Sequence, residues 1–138
     1  MLKAIVTSFG PVAGSARRHE RNKRARAMTY RPRRQSKRWL DGDCPPGVLA
    51  VLDNKGATAD RYTVIYAEIY GGAGRDGYMW GRNMSEAPSH PLGVGMTFEM
   101  RPHEVATLRY REKHRYAKWS SLPDAVKAVV RADLGARA

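Results

Sequence analysis

From residue 48 onward, apolar and polar positions fall into short runs divided by turn residues. "VLAVLD" (Val48–Asp53) is a continuous apolar run of strand length, closed by the turn-rich "NKGATAD". In "RYTVIYAEIY" (61–70), Tyr62, Val64, Tyr66, Glu68 and Tyr70 alternate with Arg61, Thr63, Ile65, Ala67 and Ile69. Bulk on both sides of a two-residue period predicts a central strand. "GGAGRDG" then predicts a loop, "YMWGRNM" (78–84) its hairpin partner, and "MTFEM" (96–100) a further strand.

The pattern changes near the C-terminus. Leu122, Val126, Val129, Val130 and Leu134 recur at helical spacing, with Ser121 placed to cap, Asp124 three residues on, Pro123 in the first turn and Gly135 as a stop. Between sheet and helix, "RPHEVATLRYREKHRYAKW" fits either a short helix or a strand with basic side chains. The expected fold class is α+β: a small antiparallel sheet with a C-terminal helix packed on it.

The first 38 residues have no such period. "RRHERNKRARAMTYRPRRQSKRW" has little apolar content before Trp39, too little to offset the entropy of ordering, so residues 1–38 are expected to be a disordered basic arm and residues 39–138 one domain. Half of the formal charge of +12 lies in residues 1–27. An arm that lies along phosphates, a plain solvated tail, and a translated leader ahead of a true start at Met28 all fit this composition.

At 138 residues the chain has room for one modest core. One cysteine, Cys44, excludes an internal disulfide and a cysteine-based zinc site, and no apolar run reaches membrane-span length, so a cytoplasmic protein with no membrane partner is expected. His90, His103 and His114 lack metal-ligand spacing, and Ser85, Glu86 and His90 lack a nucleophile elbow. Neither an enzyme nor a metal or cofactor protein is expected. The formal G-x-G-x-x-G at 72–77 sits in a hairpin loop and lacks the helix that a dinucleotide fingerprint needs.

Binding chemistry is better represented. "MSEAPSHPLGVG" (84–95) holds two prolines and two glycines, and the stiff wall this predicts follows Tyr78, Trp80, Arg82 and Asn83, which offer stacking surfaces and polar groups. Asn83, Ser85 and His90 are placed to read polar edges. Arg109, Arg111, Lys113 and Arg115 would line one face if their segment were extended, and phosphate would suit that face.

"DRYTVIY", "MSEAPSHPLGVG" and "KWSSLPDAVKAVVRADL" resemble a family of small bacteriophage and prophage proteins, whose pattern includes M-S-x-N-P-x-H-P-x-G-x-G. The resemblance covers residues 60–134, with Ala87 standing where the pattern has Asn. These segments are also similar to the anti-Thoeris signal sponges. That resemblance implies a sheet-plus-helix homo-oligomer that sequesters a small anionic nucleotide signal, cyclic ADP-ribose-like or a cyclic oligonucleotide, without cleaving it. By position it implies ligand contacts from Arg61, Tyr78 or Trp80, Arg111 and Arg115. The alternatives are a nucleic-acid-binding phage accessory protein, gripping a backbone through the arm and the 109–118 segment, or an inhibitor of a host defence complex.

Overall fold

A computed structural model describes residues 32–70 and 76–137. The first 31 residues, and with them most of the expected disordered arm and Met28, lie outside the described residues. So does most of the 72–77 glycine loop.

Four strands, β1 (Val48–Asp53), β2 (Tyr62–Ile69), β3 (Met79–Met84) and β4 (Gly95–Met100), form one antiparallel sheet in sequential order. The alternation in β2 now has a cause. Tyr62, Val64 and Tyr66 enter one core with Val48, Val51, Trp80 and Met84, while Ile65 enters a second with Leu49, Ala50 and Met79. Helix α1 (Pro102–Arg111) contributes Val105 to the second core, and α2 (Asp124–Arg137) contributes Val126 and Val130 to the first. The sheet is therefore clad on both faces, which is why a central strand with bulk on both sides is stable here. The α+β class and the C-terminal helix are as the pattern predicts. Among the described residues, no helix is long and apolar enough to cross a membrane.

Several details differ from expectation. Within the described part of the expected arm, buried Gln35 donates its backbone N–H to Leu49 O (2.9 Å), and its side-chain Oε1 accepts from Val51 N (2.9 Å). One polar residue thus stands in for an extra strand along the β1 edge, a pairing no apolar period announces. Tyr116 and Ala117 cover the same edge farther along, through a bridge to Leu52 and an N–H to Val51 O. The ambiguous segment is helical, with Pro102 in the first turn and Glu104 accepting from Arg101 N at 2.7 Å. Arg109 and Arg111 thus lie on α1, and Lys113 and Arg115 in a 3-10 turn, so the four do not form an extended row.

The α2 boundaries also shift. Ser121 closes a 3-10 turn by donating to Lys118 O (2.7 Å), and Pro123 O accepts the first helical N–H groups. Gly135 lies inside the helix, which runs to Arg137.

Candidate functional site

The stiff 84–95 segment is the connection between β3 and β4. Ser85 and Val94 close its base: Ser85 N donates to Val94 O (2.9 Å), and Val94 N donates to Ser85 Oγ (3.0 Å). Inside it, His90 N donates to Ala87 O (3.1 Å), Gly93 N to His90 O (2.7 Å), and Leu92 N to His90 Nδ1 (3.0 Å). A Cβ on Gly93 would stand 2.2 Å from Ala87 O, so the loop can fold back only on glycine there. Ser85 and His90 are engaged in holding this loop.

A cleft of about 400 Å³ opens on the α1 side of the sheet, beyond the end of that helix. Thr63 and Asn83, neighbours on β2 and β3, form its floor, with Thr63 Oγ1 and Asn83 Oδ1 2.6 Å apart. Leu52, Phe98, Met100 and Leu108 supply apolar wall, and Asn54, Thr58 and Asp60 a polar lip. That lip is braced: Asn54 Nδ2 donates to Thr58 Oγ1 (2.6 Å), Thr58 Oγ1 to Asp60 Oδ1 (2.5 Å), and Gly56 N to Asn54 Oδ1 (2.9 Å). Lys55 and Gly56 take positive φ to make the turn. Phe98 lies across Gly81, where a Cβ would meet its ring at 2.5 Å. Glu99 pairs with Trp80 and so belongs to the opposite pleat, leaving Asp60 and Glu112 as the carboxylates of the cleft. Arg115, its one cation, is bound to Glu112 at 3.1 Å.

A second feature adjoins the cleft at Arg115. Segment 33–39 runs beside 109–118: an Arg109 guanidinium N–H donates to Arg33 O, Trp119 N donates to Trp39 O (2.7 Å), and the Trp39 and Tyr116 rings meet edge to face at 5.8 Å. Exposed Arg33, Lys37, Arg38, Arg111, Lys113 and Lys118 belong to these two segments. Aromatic rings are interleaved with them: Arg38 lies over Trp39 (5.2 Å) and Lys113 over Tyr110 (4.8 Å), a ring that is 73% exposed. Nearby carboxylates have other partners. Asp41 accepts from Ser120, whose hydroxyl and amide hold it below the usual range, and Asp43 accepts from Trp119 Nε1 and Arg131.

The residues expected to bind ligand are dispersed within one chain. Asn83 and Arg115 share the cleft. Arg61 is held by Asp53 (2.8 and 3.1 Å) and Glu86 (3.2 Å), tying β1 to β2 and to the β3–β4 loop. Trp80 is buried in the α2-side core against Tyr66, ring centroids 4.3 Å apart. Tyr78 is half-buried and its hydroxyl accepts from Arg101 Nε (2.9 Å). Arg111 is exposed in the last turn of α1. Ser85 and His90 sit in the β3–β4 loop. The cleft residues Asn54, Thr58, Asp60 and Thr63 were not singled out from sequence; the Asx-turn character of "DNKGATAD" was the available signal.

Among the described residues, no group of three His, Cys, Asp or Glu side chains is placed to hold a metal. Comparison with protein-family models, with curated proteins and with solved structures gave no match.

Proposed function

We propose that this protein binds a nucleic-acid backbone, without catalysis, through the surface where segments 33–39 and 109–118 lie side by side. One observation carries this: two stretches far apart in sequence are brought together by backbone and ring contacts, and both bring exposed cations interleaved with aromatic rings. Ammonium and guanidinium groups release counterions when they meet phosphates, and exposed rings accept stacked bases. The basic residues 1–27 precede this surface in the chain and add to the same charge sign.

Sequestration of a small anionic nucleotide by a phage anti-defence homo-oligomer, as the resemblance implies, retains one supporting observation. Asn83 and Arg115 share a cleft. Against it, that cleft contains one cation, already neutralised by Glu112, whereas polyphosphate recognition calls for converging, unengaged cations.

The test is fluorescence anisotropy with labelled oligonucleotides at physiological salt, comparing the wild type with an Arg33→Glu, Arg111→Glu variant. Neither side chain is buried, so the fold should persist, and affinity should fall by roughly tenfold or more. Unchanged affinity, or tight salt-insensitive binding of a small cyclic nucleotide in calorimetry, would reverse the preference.

A further inference from the structure

We infer that the cleft beside Asn83 receives one unpaired, uncharged nucleobase from a strand whose phosphates run along the adjoining 109–118 segment. This rests on the nucleic-acid function proposed above.

Four observations lead to it. First, about 400 Å³ is within the range of small-molecule sites, roughly 300–1,000 Å³. Second, the floor and the lip together offer hydrogen-bonding groups of both kinds. Thr63 donates to Asn83 Oδ1, which leaves Asn83 Nδ2 as a donor with no partner among the described residues, and Asp60 Oδ2 is likewise an acceptor without one. A donor and an acceptor held on a braced sheet and lip match the edge of a heterocyclic base. Third, Phe98 and Leu108 give an apolar wall for the flat body of such a ring.

Fourth, the charge selects against the phosphate itself. Arg115 is paired with Glu112, and Asp60 adds a second carboxylate, so an anionic group would be repelled from the interior. Arg115 and Glu112 also belong to the segment that carries Arg111 and Lys113, so the mouth of the cleft adjoins the basic surface. Cations outside and neutral or acidic groups inside divide the work as single-stranded recognition requires: backbone on the surface, base in the pocket.

The test has two arms on the full chain. Uncharged nucleosides, one for each base, are titrated into labelled protein while the Asn83 side-chain amide is followed by NMR, and homopolymeric strands are compared by anisotropy. One nucleoside should shift the Asn83 signals, and its homopolymer should bind roughly tenfold tighter than the weakest. Asn83→Ala, and separately Thr63→Val, should erase that preference while leaving the salt dependence intact, because neither removes a phosphate contact. Strands bound with equal affinity and silent Asn83 signals would overturn the base pocket and leave the proposed function standing. Shifted Asn83 signals with no strand bound would overturn the tethered base and the proposed function together.

Discussion

At the scale of single residues, Asp133 ties α2 to the sheet. Its carboxylate accepts from Arg82 Nε and Nη2, both at 2.7 Å, and from the Tyr66 hydroxyl at 2.6 Å, which is otherwise deep in the core. Burial, reinforced by the Asp133 acceptor, pushes the Tyr66 phenol well above the ordinary tyrosine range. The folded value is thus above the unfolded one, so this contribution to stability is intact below about pH 10 and declines as pH rises beyond it. Tyr66→Phe should flatten that alkaline decline in pH-dependent melting; an unaltered alkaline arm would count against the assignment. Arg82→Ala leaves a nearly buried carboxylate without its ion pair and should cost about 3 kcal/mol in denaturant unfolding, with a loss below about 1 kcal/mol showing that the pair contributes little. Gly93→Ala confronts a backbone oxygen that a Cβ cannot avoid, and should distort the β3–β4 loop, visible as large amide shifts confined to residues 85–95. Shifts no larger than those of a surface substitution would contradict that close approach.

At the scale of elements, legibility followed periodicity. The two-residue alternation of β2 reflects burial of both its faces, and the helical spacing of Val126 and Val130 burial of one; strand and helix both form, the helix with shifted ends. Val126→Asp places a charge in the α2-side core and should unfold the protein or cost about 3 kcal/mol or more, which retained melting behaviour would refute. Helix α1 was ambiguous because only Pro102 and Val105 are buried along it, too few to mark a stripe. The 84–95 segment, read from its prolines and glycines as a ligand-facing wall, folds back on itself between β3 and β4, with Ser85 and His90 turned to backbone partners. Of the cleft, only Asn83 and Arg115 were legible as binding residues. The cleft residues come from all four strands, α1, the 3-10 turn after it and the 54–60 loop, and their meeting depends on sheet register that no local pattern encodes.

At the scale of the whole described body, edge protection and exposed charge coincide. The β1 edge is covered by Gln35, Tyr116 and Ala117, and the chain that covers it also brings segments 33–39 and 109–118 together. Covering a sheet edge and assembling a basic surface are thus one structural event, which explains why the sequence could name the arm and the 109–118 segment but not their pairing. The aromatic rings there serve both ends: Trp39 packs against Tyr116, while Tyr110 stays exposed beneath Lys113. The measurement that bears most directly on this account is the slope of log binding constant against log salt for a single-stranded oligonucleotide, taken for the wild type and for Arg111→Ala with Lys113→Ala. If these side chains meet phosphates, each contributes about 0.7 to the magnitude of the slope, so the double variant should lower it by about 1.4 at reduced affinity. A slope near zero in the wild type, or one that the double variant leaves unchanged, would contradict binding through this surface.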